Sequence, residues 1–311
     1  MTLIAIVLAL ILEQLHALPV VQVVHQPVAK LSGFLERSFN DGRYAHGVIA
    51  WVLGVVAPAL LLLILYAYLW VYQSVAALLL SIGVLYLTMG FRQFSHYFTE
   101  LQDALRSGDI DIARRTLATW RQHSGDRLSS SEVARLAIEE ALLASHRQVF
   151  APLFWFAIVG PVGPVIYRLA DLFKRHWGDR SDVEFGQFGS FSRQAFAVID
   201  WLPVRLTAFA FAIVGDFEDA VYCWRTQANR WADSASGILL SSGAGALGVR
   251  LGLPFAAPAQ LDDVDDIRPE LGLGEEADPD LMQSTTGLVW RTLVLVLLLL
   301  ALVWISGWMG G

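Results

Sequence analysis

The sequence predicts an all-α, polytopic integral membrane protein, and three observations carry that prediction. Hydrophobic residues fill 55% of the 311 positions and charged residues 16%, against roughly 25% charged in soluble domains, and the mean hydropathy is +0.51. Several uncharged runs approach or exceed the roughly 20 residues that a helix needs to cross a bilayer. One of them, from Ala151 to Tyr167, is interrupted by Pro152, Gly160, Pro161, Gly163 and Pro164. Such breaks survive at membrane depth where protein or a water-lined cavity satisfies the freed backbone groups. Together these predict four full apolar spans, shorter or broken intramembrane helices, and a small cytoplasmic amphipathic helical region. The formal net charge of -7, with no basic cluster, excludes a nucleic-acid binder. Cys223 is the only cysteine, so an internal disulfide and a multi-cysteine metal centre are excluded. The seven histidines show no metal-ligand spacing, and neither a metal nor a cofactor is assigned.

Residues 1–91 read as N-terminal membrane helices. Leu3 to Leu12 is apolar but stops at Glu13. It lacks a basic stretch before it and a cleavage site after it, so it is expected to be an uncleaved helix that enters the bilayer or packs on the other spans. Val48 to Tyr72 and Val75 to Phe91 are joined by little more than Gln73 and Ser74, which predicts a hairpin. Eight arginines between Arg92 and Arg147 place both flanks of that hairpin in the cytoplasm.

Residues 92–149 predict two amphipathic helices. The first follows Asp109 with Ile112, Leu117 and Trp120 near helical spacing, and the second opens with a capping box at Ser129 and Glu132. Glu139 and Glu140 are expected on solvated faces, with the alternative that Glu139 and Arg147 point into the intramembrane core.

Residues 150–253 form the expected membrane core, two apolar segments joined by a connector carrying DLFKRHWGDR. Arg168, Asp171, Asp200 and Arg205 sit on the borders of those segments, where ionisable groups mark a site, a buried pair or a snorkelling anchor. Asp200 with Pro203 also fits the start of a helix. Arg205 lies beyond that start and is expected to pair with Asp171 or Asp200, or to reach the headgroups. The ligand-pocket candidates are therefore Glu139, Arg147, Arg168, Asp171, Asp200 and Arg205, and no catalytic residue is assigned. Further on, YCWRTQANRW suits a helix at a membrane interface. Gly243, Gly245 and Gly248 fit G-x-G-x-x-G, but without a parallel sheet they read as close helix contacts rather than a dinucleotide site.

Residues 254–286 read as a flexible linker: nine acids stand between Pro254 and Gly287 against one base, Arg268. Residues 287–311 carry a final span from Leu288 to Trp308, with Trp290 and Trp308 about 27 Å apart along a helix.

The phrases APLFWFAIVGPVGPVIYR, DWLPVRLTA and GALGVRLG resemble the CobD/CbiB superfamily over most of the chain. The resemblance implies a membrane enzyme that makes adenosylcobinamide phosphate, using ATP to join an aminopropanol unit to a corrinoid carboxylate by an amide bond. The synthetase pattern surrounds these phrases with E-S-L-A-E-N-x-x-D, N-T-L-D and D-D-x-x-N. Here Glu139 keeps the first acid, but Leu143, Ala144 and Arg147 stand at the next acid, the asparagine and the aspartate. Asp171 and Lys174 replace the asparagine and aspartate of N-T-L-D, and Phe196 and Ala197 replace the D-D pair. Carboxylates are what would hold Mg-ATP or orient an amine. With them lost, the profile resembles the AmpE branch, which shares the apolar start followed by an acid, APLFW, DW-x-PVRL and the C-terminal span. That narrower resemblance implies a multi-pass sensor in the bacterial inner membrane, tied to β-lactamase induction and cell-wall recycling. Its partners would be the lipid bilayer and a muropeptide-like ligand or the recycling amidase. A muropeptide-like solute transporter and a CobD/CbiB-type ligase are the alternatives.

Overall fold

A computed structural model describes residues 2–16, 21–121, 127–180, 182, 185–254 and 268–309. In chain order the helices are α1 (Thr2–Leu15), α2 (Gln26–Phe39), α3 (Tyr44–Trp51), α4 (Ala57–Tyr72), α5 (Ser74–Thr88), α6 (Phe91–Arg106) and α7 (Ile110–Arg121). They continue with α8 (Ser130–Ser145), α9 (Ala151–Val159), α10 (Val162–Phe173), α11 (Ser190–Val214), α12 (Phe217–Gln227), α13 (Ser234–Leu247) and α14 (Pro279–Met309). Two short strands, β1 (Val249–Arg250) and β2 (Glu275–Glu276), pair in parallel. The described residues are 83% helical, and the chain is an all-α polytopic membrane protein.

Two compact units form, Met1–Phe91 with Gln148–Pro203 and Arg92–Arg147 with Val204–Gly311. This grouping differs from the five consecutive segments expected from the sequence, because each unit is assembled from stretches far apart in the chain.

In the first unit, Gln73 leaves helical geometry (φ -148, ψ 74) and ends α4 while starting α5. Its N–H donates to Leu69 O at 2.7 Å and its carbonyl accepts from Ala77 N at 3.1 Å, so both helix ends are served by one residue. The hairpin predicted at Gln73 is therefore present, with α4 packed on α5. α1 packs on α5 as well, burying Ala5, Ile6 and Ala9. α4 buries only Ala59, and Leu61 and Val71 are 70% and 72% exposed. An apolar surface of this extent needs a partner, and the bilayer supplies one.

The proline-glycine run resolves into a tight helical hairpin. Gly160 takes φ 70, which ends α9, and Pro161 precedes α10, which packs back on α9. The approach is close enough that a Cβ on Gly163 would lie 2.7 Å from the Trp155 carbonyl carbon.

Among the described residues, four helices are long and apolar enough to cross a membrane: Tyr44–Tyr72, Ser130–Val159, Ser190–Val214 and Pro279–Ser306. The number matches expectation, but the membership does not. The run expected from Val75 to Phe91 is a shorter helix ending at Thr88, and the helix expected to be cytoplasmic, α8, is the first half of Ser130–Val159. The reason is local: a π-helical turn at His146–Phe150 carries α8 into α9 without a break. The helix expected to start at Asp200 instead starts at Ser190 and takes Pro203 in its interior.

In the second unit the capping box at Ser129 and Glu132 is present, yet α8 has no solvated face. It packs on α7, α13 and α14, and Glu132, Arg135 and Glu139 are all buried. The expected solvated position of Glu139 is thereby corrected. Gly243 meets Leu142, and Gly245 lies against the backbone of Asp219 and Ala220 in α12, as close helix contacts require. Cys223 is buried in α12, where burial and then Asp219 push its thiol up to about 11. The segment expected to be a linker from 254 to 286 is in part structured: residues 268–276 return to pair with the 249–252 stretch, and α14 begins at Pro279. The DDVDD stretch lies outside the described residues.

Candidate functional site

Each unit contains a set of buried charges. In the first, the spacing of Arg168, Asp171 and Arg175 puts all three on one face of α10 and the turn after it. Asp171 accepts from Arg175 Nε at 3.2 Å and lies 3.0 Å from its Nη2, with Arg168 Nη1 at 4.0 Å. Arg168 Nη2 lies 3.1 Å from His25 Nε2. A guanidinium only donates, so His25 Nε2 accepts and the imidazole is neutral. Burial first, then the Arg168 charge, holds His25 down at about 4. Tyr167 OH donates to Asp200 Oδ1 at 3.0 Å, joining α10 to α11. Arg168, Asp171 and Asp200 are thus all buried and engaged within the first unit, which suits them to holding helices together.

In the second unit Glu139 is the centre of a clasp. Its Oε1 accepts from Gly252 N at 2.9 Å, and its Oε2 pairs with Arg268 Nη2. Arg268 Nε donates in turn to Gly252 O at 2.8 Å, and its guanidinium lies over the Trp231 ring at 5.5 Å. Leu251 and Leu271 exchange backbone bonds at 2.8 and 2.9 Å, while the Gln227 amide brackets Gly272. Gly252 needs φ 83 and approaches Pro269 too closely for any side chain. Beside this clasp is a cavity of about 300 Å³ lined by Ser129, Glu132, Arg135, Arg250, Pro254 and Glu276 among others.

The six expected pocket residues therefore divide. Arg168, Asp171 and Asp200 belong to the first unit; Glu139, Arg147 and Arg205 to the second, with Arg147 in the π-helical turn and Arg205 on α11, both half-buried. Asp171 takes Arg175 and Arg168, and Asp200 takes Tyr167. Sequence reasoning missed Arg135, Arg250 and Arg268. The last had a signal, as the single base in an acidic segment. Among the described residues no group of three His, Cys, Asp or Glu side chains could hold a metal.

The CobD/Cbib protein family matches residues 2–269 of the chain. The chain belongs to the CobD/CbiB family. A relative from Stutzerimonas stutzeri, named cobalamin biosynthesis protein CobD, is 34% identical over 286 residues, 90% of this chain and 89% of the relative. Relatives of the same name from Chromobacterium violaceum (34% over 197 residues, 63% of this chain and 62% of the relative) and Leptospira interrogans (25% over 199 residues, 62% of each) match shorter stretches. No solved structure matches. The narrower likeness to AmpE draws no support from these relatives, which carry the cobalamin name. The carboxylate set that the CobD/CbiB resemblance would use for Mg-ATP does not fit this chain. Leu143, Ala144 and Arg147 stand at three of its positions, and Glu139 is committed to Arg268 and Gly252.

Proposed function

We propose that this chain serves cobalamin biosynthesis in a bacterial inner membrane, as a multi-pass protein of the CobD type that acts on a corrinoid. The observation that carries the reading is the 34% identity to the Stutzerimonas stutzeri relative, sustained over 90% of one chain and 89% of the other. The resemblance implies amide formation between a corrinoid carboxylate and an aminopropanol unit. The cavity beside Glu139 supports it in part: about 300 Å³ is at the small end of ligand sites, sized for a small polar co-substrate rather than a macrocycle. The test is complementation of a bacterial strain lacking its own CobD. Restored growth on a corrinoid precursor is expected. Failure to restore growth, with corrinoid still bound by the purified protein, would reduce the role to binding; failure of both would end the reading.

One observation favours a second reading, an AmpE-type sensor. The only synthetase acid retained in the first motif, Glu139, spends both oxygens inside the protein. A chain that kept the fold and lost the acids would bind a muropeptide-like ligand or the recycling amidase. Deletion of the gene that left β-lactamase induction unchanged would reject this second reading.

A further inference from the structure

We propose that the outward face of α2 is a docking surface for the anionic headgroups of the bilayer, with Lys30 and Arg37 taking lipid phosphates on either side of an inserted Phe34. Pro27, Lys30, Phe34 and Arg37 recur at spacings of three and four residues, which puts them in one stripe of the helix. All four are exposed, Phe34 at 59%. The opposite stripe, Val28, Ser32 and Leu35, is buried. No acid shares the outward stripe. Glu36, the one acid of the helix, takes Arg180 Nη1 at 2.7 Å instead.

Most bases of the first unit are matched. Arg43 pairs with Asp41, Lys174 with Asp179, Arg175 and Arg168 with Asp171, and Arg180 with Glu36 and Asp182. Among the described residues Lys30, Arg37 and Arg193 have neither an ion pair nor a side-chain hydrogen bond. Arg193 opens α11 beside Gln194, whose Oε1 accepts from Tyr44 OH at 3.0 Å. Two spans therefore start at one level, and the unmatched charge collects at that end.

Depth places this face among headgroups. Tyr44–Tyr72 has 29 residues, about 43 Å at 1.5 Å each, against about 30 Å of hydrocarbon, so part of it overhangs. Tyr66, Tyr68, Trp70 and Tyr72 gather at its far end, the aromatic signature of one membrane interface. Counting about 20 residues back from Trp70 puts the other interface near Trp51. Leu35 of α2 meets the span close to that level: a Cβ on Gly54 would lie 3.1 Å from Leu35 Cδ1. α2 therefore packs on the overhanging end, with its outward stripe at headgroup depth. A phenyl between two cations suits that depth, because the ring enters the acyl boundary while the long basic side chains reach phosphates.

The inference goes beyond the cobalamin reading and is independent of it. The experiment is native mass spectrometry of the detergent-solubilised full chain, titrated with phosphatidylglycerol and, separately, with phosphatidylcholine. Wild type is expected to take its first phosphatidylglycerol about five- to tenfold more tightly than phosphatidylcholine, and Arg37→Gln to weaken phosphatidylglycerol alone by about fivefold. Arg43→Gln is the charge-matched control, since Arg43 is exposed but already paired with Asp41, and it is expected to leave both lipids unchanged. Both arginines are on the surface, so both variants fold. Equal weakening by Arg37→Gln and Arg43→Gln, or no preference for phosphatidylglycerol in wild type, overturns the proposal. Displacement of the bound lipid by glycerol phosphate would show a site for free phosphate rather than a lipid surface, and overturns it as well.

Discussion

Arg168, Asp171 and Arg175 lie within about two turns of one helix, whereas Glu139 meets Arg268 across 129 positions of sequence. The first cluster needs only α10 and the turn after it to bring its members together, and Arg175, 42% exposed at its side chain, keeps part of its guanidinium outside. The second cluster exists only when the 268–276 stretch has returned to α8, and both its side chains are at least 94% buried. A local buried cluster can therefore form early and tolerate rearrangement, while the long-range clasp reports on the completed unit.

Breaking the long-range pair should cost most. Arg268→Ala removes the guanidinium that pairs with buried Glu139, and a loss of about 3 to 5 kcal/mol is expected. Thermal unfolding of purified protein would show it, with Glu139→Gln plus Arg268→Met recovering most of the loss. A silent Arg268→Ala would mean that the clasp does not hold the unit.

The local cluster should yield less to the same treatment. Asp171→Asn strips the carboxylate charge from between Arg168 and Arg175 and is expected to cost about 2 to 3 kcal/mol. A loss as large as that of Arg268→Ala would erase the contrast between the two clusters.

Two glycines separate backbone conformation from close approach. Gly248 (φ 66) has nothing within 4 Å of a built Cβ, while Gly252 (φ 83) faces Pro269. Gly248→Ala should cost about 1 to 2 kcal/mol from conformation alone, and Gly252→Ala visibly more. Equal melting temperatures for the two variants would show that the clasp region relaxes to admit a methyl group.

The last effect is with pH. His25 lies beside Arg168, Arg175, Asp171 and His176, and its pKa in the folded protein, about 4, is below its unfolded value of 6.5. The unfolded chain therefore binds the proton first. The stability that neutral His25 contributes is present above pH 6.5 and is lost as pH falls toward 4. His25→Gln should flatten the dependence of melting temperature on pH in that window; an unchanged slope would place the titration elsewhere.

The features legible in the sequence were those with local causes. The break at Gln73, the Gly160–Pro161 turn, the Ser129–Glu132 cap and the small-residue contacts of Gly243 and Gly245 each follow from a few neighbouring residues. The burial of α8 was not legible, because its polar residues read as a solvated face and only packing on α7, α13 and α14 reveals where they go. The candidate site was half legible for the same reason. Glu139, Asp171 and Asp200 were singled out by position, but Arg268 is brought to Glu139 by a chain return that no periodicity announces. The continuity of α8 with α9 escaped because a π-helical turn leaves no composition signal at His146–Phe150.

The buried thiol of Cys223 has a practical meaning for mapping which parts of the chain face which compartment. At neutral pH a thiol held near 11 is almost entirely protonated, and thiolate is the form that reacts with maleimides. The natural protein is therefore close to silent toward such reagents without any engineering. A cysteine placed at Gln73, the hairpin tip, and another at Ser107, exposed after α6, would each be read against that quiet background. Impermeant reagent added to intact cells would then show directly which of the two positions it reaches.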